Sequence, residues 1–139
     1  MTSEKTTTGV TVLGTGFYVP EQAVKNADYA AFVETSDEWI TTRTGMKKRH
    51  IATDEPTWKL GSLAGKMALE NSGLAPEDID MVLVTTVTSD FITPAMACLI
   101  QQELAIPSAM ALDINVACTA FCFAVDMARR YLVTGDVEH

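Results

Sequence analysis

Residues 110–126 read Met-Ala-Leu-Asp-Ile-Asn-Val-Ala-Cys-Thr-Ala-Phe-Cys-Phe-Ala-Val-Asp, and the architecture of the chain is clearest in this segment. Met110 to Val116 has the composition of a buried strand, and Cys118 to Val133 that of a helix that is apolar over its first half. Gly135 follows as a helix stop. A buried strand that turns directly into a helix is typical of α/β proteins, in which helices cover a parallel sheet.

The rest of the chain continues this alternation of strands and helices. The sequence predicts a strand over Val10 to Leu13, a short helix capped by Asn26 and reaching about Glu34, a helix from Thr35 to Gly45, a helix from Pro56 to about Gly73, a strand over Ile79 to Thr86 and a helix from Pro94 to about Leu104. The apolar core of the Ile79 to Thr86 strand indicates burial on both faces. This order indicates an α/β layer whose mostly parallel strands are joined by right-handed crossovers.

Composition sets limits on the class of protein. The 139 residues fit one domain, and 10 Lys and Arg against 18 Asp and Glu give a net charge of −8, which argues against a nucleic-acid partner. The longest charge-free runs have 12 residues, fewer than the roughly 20 of a membrane span, and the polar N-terminus is not a signal peptide. Three cysteines without a secretion signal indicate free thiols, so we expect a cytoplasmic location and no membrane contact.

A Gly14-Thr15-Gly16 motif follows the first predicted strand, as in a dinucleotide-binding turn. The third small residue of that fingerprint is replaced by Val19, and Pro20 comes next. A helix cannot begin there, so the sequence argues against dinucleotide binding.

Cys118 is the candidate nucleophile. A thiol at the junction of a strand and a helix meets the free N–H groups and partial positive charge of the helix N-terminus, which favour the thiolate. The alternative is a small buried hydrophobic side chain, as most free cysteines are. We expect Cys122 to point into the apolar layer and Cys98 to pack in the core, with no metal site. The two histidines, His50 and His139, are isolated in sequence, so neither is an obvious base.

Trp39 and Arg43 are four residues apart and therefore share one helix face. An aromatic plane beside a guanidinium can hold a nucleobase by stacking and cation–π contact. The alternative is that Trp39 packs the helix while Arg43 is solvated.

Together these residues resemble the first part of a β-ketoacyl-ACP synthase III (ACP, acyl carrier protein), a thiolase-fold condensing enzyme. The resemblance runs from Gly14-Thr-Gly and Tyr18-Val-Pro-Glu through Thr35-Ser-Asp-Glu-Trp-Ile-Thr-Thr-Arg-Thr-Gly45 and Pro94 to Asp113-Ile-Asn-Val-Ala-Cys118-Thr-Ala-Phe121. It implies that residues 1–139 are the N-terminal portion of the first of two similar thiolase-like halves, with a mixed or mostly parallel sheet that is incomplete in this chain.

The resemblance also implies an activity. Cys118 would take an acyl group from acyl-CoA as a thioester and pass it to the carbanion formed when malonyl-ACP loses carbon dioxide, which initiates fatty-acid synthesis. Trp39 and Arg43 match the clamp for the CoA adenine, and Thr35 matches a neighbouring contact. Acyl-CoA and malonyl-ACP are substrates, and no permanently bound cofactor is implied. The basic residues 47–49 could form a local patch for an acidic carrier protein.

Two departures from the family pattern bear on the substrate. The family has Ala-Gly after the nucleophile, whereas this chain has Thr119-Ala120. Short-acyl members carry a Phe just before the proline matched by Pro94, and it blocks the acyl pocket of the dimer partner. Thr93 stands at that position here. A smaller side chain leaves a deeper pocket, so we expect primers longer than acetyl.

The resemblance further implies missing parts. The catalytic His and Asn of the family come from the second half, so we expect this chain alone to be inactive and its remainder, if present, to be a separate polypeptide. The strand from Met110 to Val116 is expected to pair across a two-fold axis in a homodimer. The alternatives are a related acyltransferase or condensing enzyme of specialised metabolism, and a non-catalytic acyl-CoA-binding or dimerisation fragment.

Overall fold

The computed structural model describes residues 9–139, which form two compact units. The larger unit joins residues 9–17 to Thr57–His139, and the smaller unit is Tyr18–Pro56. The smaller unit contains β1 (Ala23–Lys25), α1 (Asn26–Tyr29), α2 (Asp37–Thr44) and β2 (Lys48–His50). The larger unit contains α3 (Thr57–Ser72), a 3-10 turn (Pro76–Asp78), β3 (Met81–Thr85), α4 (Met96–Glu103), β4 (Met110–Ile114), a second 3-10 turn (Ala117–Thr119) and α5 (Ala120–Thr134).

A parallel pair of strands organises the larger unit. In the β3–β4 ladder Met81 is opposite Met110 and Thr85 is opposite Ile114, while α4 lies in the connection between the strands. The side chains of Met96, Ala97 and Ile100 on α4 are buried and form the centre of the core. The prediction of an α/β layer with parallel strands is confirmed for this unit.

The prediction that β3 is buried on both faces is wrong. The side chains from Met81 to Val84 are half-buried. The reason is an open, largely apolar groove of about 1370 Å³ that runs along this strand. Its apolar lining includes Val10, Val12, Leu13, Leu69, Val82, Val84, Leu104, Leu132 and Val137.

The strand predicted over Val10 to Leu13 is also absent from the structure. Residues 9–19 contain no helix or strand. A strand exists only where a neighbour accepts and donates its backbone hydrogen bonds. Among the residues that the structure describes, β3 pairs with β4 and not with this segment, and the groove lies between the two.

The Gly14-Thr15-Gly16 motif packs against α3. A Cβ added at Gly14 would overlap the backbone of Ala68 and Ser72, and one added at Gly16 would overlap the backbone of Ala64. The Thr15 carbonyl also accepts a hydrogen bond from Asn71 Nδ2, with N and O 2.8 Å apart. The two glycines therefore allow the chain to approach a helix backbone closely, which no larger residue permits.

The helix predicted from Thr35 to Gly45 is confirmed as α2. Its N-cap is Ser36, whose Oγ accepts a hydrogen bond from the Trp39 N–H at 3.0 Å. Gly45 ends the helix with a left-handed backbone, φ +72°, a conformation that favours glycine.

The boundaries predicted for the other helices differ by a few residues, except near Asn26. The helix predicted from Pro56 is α3, and the one predicted from Pro94 begins at Met96. The helix predicted from Cys118 begins at Ala120, because a 3-10 turn occupies residues 117–119. Asn26 is not a cap: α1 has only four residues, and the Asn26 side chain is fully buried and bonded to later parts of the chain.

Gly16→Ala should destabilise the larger unit by roughly 1–3 kcal/mol, because the new methyl group must displace the α3 backbone. Urea unfolding followed by circular dichroism measures the change in the free energy of unfolding. Gly9→Ala is the matched control, since no atom lies within 4 Å of a Cβ at that position. Equal stability of the two variants would contradict the packing role of Gly16.

Candidate functional site

Cys118 lies in the sharp turn between β4 and α5, as the sequence predicts. β4 ends at Ile114, Cys118 is the middle residue of the 3-10 turn, and α5 begins at Ala120. The preceding residue, Ala117, has φ +50°, a left-handed conformation that is uncommon for a residue other than glycine. Such strain is often found at functional turns. The Cys118 side chain is exposed, so the thiol is accessible to a reagent.

The Thr93 loop lies at the same edge of the sheet. Residues 86–95 follow β3, and the Cys118 turn follows β4, its parallel neighbour. Because the carboxyl ends of parallel strands meet at one edge, both segments lie there. Phe91, Ile92 and Thr93 are exposed in this loop.

Two carboxylates anchor the Thr93 loop, one before Thr93 and one just after the loop. The Asp90 carboxylate accepts hydrogen bonds from the backbone N–H groups of Thr57 (3.0 Å) and Trp58 (2.8 Å), and so caps α3. Asp113 on β4 caps α4 in the same way, with each oxygen 2.8 Å from the N of Met96 or Ala97. A carboxylate at a helix N-terminus also interacts favourably with the helix dipole.

These contacts change the acidity of Asp90. Desolvation raises the pKa of its carboxyl group, but the backbone N–H groups of Trp58 and Thr57 and the Thr57 hydroxyl outweigh it. The net result is a pKa below the ordinary value for aspartate, because hydrogen bonds to the anion favour the anion.

The other two cysteines are not where the sequence placed them. Cys98 was expected in the core and Cys122 in the apolar layer, yet both side chains are exposed. On α4 the buried positions are Met96, Ala97 and Ile100, so Cys98 faces away from them. The pattern of apolar residues along each helix did not show which helix face is buried against the rest of the unit.

The larger unit, which contains Cys118, places no histidine beside the Cys118 thiol as a base. His139 lies in the larger unit, where its carbonyl accepts hydrogen bonds from the N–H groups of Asp80 and Met81 at the start of β3. Cys118 follows the end of β4, so the length of the five-residue ladder, about 16 Å, separates these edges. His50 belongs to the smaller unit, and its Nδ1 donates to the Pro20 carbonyl at 2.6 Å.

In the smaller unit Trp39 and Arg43 lie in contact on α2, and Thr35 lies two residues before the helix. The Arg43 guanidinium carbon lies 4.3 Å from the centre of the Trp39 ring, a cation–π contact. Trp39 is 53% exposed, so it does not pack the helix into a core, and the outer part of its ring is open to a ligand. Thr35 precedes the Ser36 cap and is half-buried.

The three basic residues 47–49 differ in exposure and in contacts. Lys47 and Lys48 are exposed, whereas Arg49 is half-buried. Arg49 donates to the Asn26 side-chain oxygen at 3.2 Å and lies over the Tyr29 ring at 5.0 Å.

Within residues 9–139, no three His, Cys, Asp or Glu side chains cluster as metal ligands, and no helix is long and apolar enough to span a membrane.

The sequence is similar to those of known condensing enzymes. The chain is 44% identical, over 93% of its length, to the β-ketoacyl-ACP synthase III of Clostridium acetobutylicum, and 46% identical over 89% to that of Caldanaerobacter subterraneus. The chain is homologous to β-ketoacyl-ACP synthase III. It spans about 40% of the length of the curated relatives that it matches. No family model matches it.

Solved structures of β-ketoacyl synthases share this fold. The 3-oxoacyl-ACP synthase III of Aquifex aeolicus superposes with a TM-score of 0.86 at 40% identity, over 91% of this chain and 41% of that one. The priming β-ketosynthase of the R1128 polyketide pathway superposes with a TM-score of 0.83 at 38% identity, over 89% of this chain and 37% of that one. The predicted thiolase-like α/β fold, incomplete in this chain, is confirmed.

The structure gives Asn26, Asp90 and Asp113 roles that the sequence analysis did not predict. A charged residue inside the apolar run of β4 was a signal for Asp113, because a charge is buried only with partners. Asp90 and Asn26 carry no local signal, since their partners lie 11 to 33 residues away in sequence.

Asp90→Asn should lower the free energy of unfolding by roughly 1 kcal/mol at pH 7, because the cap of α3 is weakened. The folded-state pKa of Asp90 is depressed, so its contribution is present above the unfolded pKa and is lost as the pH falls below about 4. Urea unfolding between pH 2.5 and 7 should therefore show a shallower acid loss for the variant. Glu70→Gln, an exposed change on α3, is the control, and equal pH profiles for wild type and Asp90→Asn would refute the role of Asp90.

Proposed function

We propose that the chain supplies the nucleophile and the CoA-recognition elements of a cytoplasmic β-ketoacyl-ACP synthase III that starts fatty-acid synthesis. The observation that carries the proposal is the exposed Cys118, which follows the left-handed Ala117 in the turn between a parallel strand and a long helix. The homology to synthases of this name supports the same conclusion.

Cys118 would begin the reaction by attacking the thioester carbonyl of an acyl-CoA. The sulfur–carbon bond to Cys118 forms, the bond to CoA breaks, and the proton of the Cys118 thiol ends on the CoA thiol. A backbone N–H at the start of α5 is suited to stabilise the tetrahedral oxyanion, because helix N-termini present free donors. The Thr119 hydroxyl donates to the Val116 carbonyl at 3.0 Å and braces the turn.

The second step would transfer the acyl group to malonyl-ACP. Loss of carbon dioxide from malonyl-ACP leaves a carbanion that attacks the Cys118 thioester, and the Cys118 thiolate departs. The chain offers the nucleophile and leaving group for this step. Within the larger unit the His139 backbone lies at the opposite edge of the sheet from Cys118. The resemblance implies that the residues that drive decarboxylation would come from outside residues 1–139.

Trp39, Arg43 and Thr35 would bind the nucleotide end of CoA. The adenine would stack on the exposed Trp39 ring while Arg43, already 4.3 Å from the ring centre, supplies positive charge close to the CoA phosphates. The exposed Lys47 and Lys48 are suited to an acidic carrier protein, although the net charge of the chain is −8.

The apolar groove of the larger unit would hold the rest of a longer polypeptide. The His139 carbonyl already accepts from the Asp80 and Met81 N–H groups, so a continuing or complementing segment would extend along β3. This segment would fill the groove between β3 and residues 10–13, cover its apolar lining and pair with the open edge of β3.

We propose a homodimer through the outer edge of β4, where Met110 and the nearby Val116 are exposed.

Cys118 should be the only cysteine that acyl-CoA acylates in the assembled enzyme. Intact mass spectrometry before and after incubation with acyl-CoA should show one added acyl group, and peptide mapping should locate it at Cys118. Cys98→Ala and Cys122→Ala should retain the adduct and Cys118→Ala should lose it. The exposed Cys98 and Cys122 thiols are internal controls, so equal labelling of all three would mean simple accessibility and would defeat the proposal. The 139-residue chain by itself should remain unacylated.

The primer preference should follow residue 93. With Thr93, kcat/KM for acyl-CoA should peak at chains longer than acetyl, because a small side chain leaves the pocket deep. Thr93→Phe should move the peak towards acetyl-CoA, and Thr93→Ser, of similar size, should not. The proposal for Thr93 fails if acetyl-CoA is the best substrate of the unaltered enzyme.

A second candidate function is priming of a specialised pathway. The relation to the R1128 priming β-ketosynthase, at 38% identity, favours it. Both candidates use Cys118 in the same way, so they differ in the acceptor. Condensation assays with malonyl groups on a fatty-acid carrier protein and on a polyketide carrier protein distinguish them.

A further inference from the structure

We propose that Asn26 is a positioning residue that holds α2, and therefore Trp39 and Arg43, in the geometry that binds the nucleotide of CoA. This inference rests on the proposed function of the smaller unit. Asn26 has no exposed surface and is the only fully buried polar residue of residues 18–56 that the structure describes.

The Asn26 side chain connects three separate parts of the smaller unit. Its Nδ2 donates to Asp37 Oδ1 at 2.9 Å, at the first residue of α2, and to the Met46 carbonyl at 2.8 Å, just after α2 ends. Its Oδ1 accepts from Arg49 Nη1 on β2 at 3.2 Å. Both amide hydrogens are used, so one side chain ties together both ends of α2 and the strand that follows.

Apolar packing of α2 is too thin to replace this connection. Ile40 is the one buried apolar side chain of the helix, because its other positions are polar or, as Trp39, exposed. A further link through Thr41 belongs to the same network, since its hydroxyl lies 3.4 Å from the Met46 carbonyl and 3.3 Å from Asp37 Oδ1. Polar contacts centred on Asn26 therefore set where the helix lies relative to β1 and β2.

The position of α2 matters because both clamp residues project from its middle and end. Arg43 reaches back over Trp39 and its Nη1 donates to the Trp39 carbonyl at 3.4 Å. The contacts between Trp39 and Arg43 lie within α2. Loss of the Asn26 hydrogen bonds would therefore leave the pair intact but shift it, together with α2, relative to β1 and β2. A displacement of this kind weakens ligand binding without altering groups that react.

Asn26→Asp is the sharpest test, because it keeps the shape but removes both donors and puts a carboxylate beside Asp37. In the assembled enzyme it should raise the KM for acyl-CoA and the Kd for CoA about tenfold, and leave the maximal rate of Cys118 acylation unchanged. Adding Asp37→Asn should recover at least part of the affinity, since the amide introduced at position 37 can donate to the carboxylate introduced at position 26. The control is Thr42→Ala, which removes only a bond within α2, from Thr42 Oγ1 to the Glu38 carbonyl.

Asp37→Ala provides a second variant if Asn26→Asp fails to fold, which circular dichroism would reveal. It cuts the same link from an exposed residue and keeps the buried amide, so the same rise in Kd is expected. Trp39 fluorescence in a Trp58→Phe background should show altered CoA quenching in both variants. If Trp39→Ala weakens CoA binding but the Asn26 and Asp37 variants do not, the positioning role is overturned. If Trp39→Ala has no effect on CoA binding, the proposed nucleotide clamp itself is overturned.

Discussion

The parallel ladder between β3 and β4 is the constraint on which the chemistry of the larger unit depends. Five residue pairs fix the two strands in register, so the segments that follow them emerge at one edge. One of these segments carries Thr93 and the other carries Cys118. The opposite edge receives the backbone of His139, which separates the sole histidine of this unit from the thiol by the length of the ladder.

Two carboxylates at helix N-termini connect the ladder and its loops to the helices beside them. Asp113 stands on the strand that leads to Cys118 and caps α4, while Asp90 stands in the Thr93 loop and caps α3. Each aspartate satisfies two backbone N–H groups that a helix start leaves without partners. The part of the loop that carries Thr93 is thereby held on both sides, although the side chains of Phe91 and Ile92 are exposed.

The two units are stabilised by different kinds of interaction. The larger unit has an apolar centre at Met96, Ala97 and Ile100, next to a groove that remains open. The smaller unit has little apolar core, and a buried amide at Asn26 organises it through hydrogen bonds. A buried polar group is costly unless every bond is made, so such a network specifies one arrangement more strictly than apolar contact does.

The sequence by itself determined the α/β class, the parallel strands, the helix α2, the strand–turn–helix position of Cys118 and the relation to β-ketoacyl-ACP synthase III. These features depend on residue periodicity, caps and motifs, which are local. The tertiary structure decided the buried role of Asn26, the exposure of Cys98 and Cys122, and the absence of a strand at residues 10–13. Each of these depends on partners distant in the chain, because burial, strand pairing and side-chain networks exist only when those partners meet.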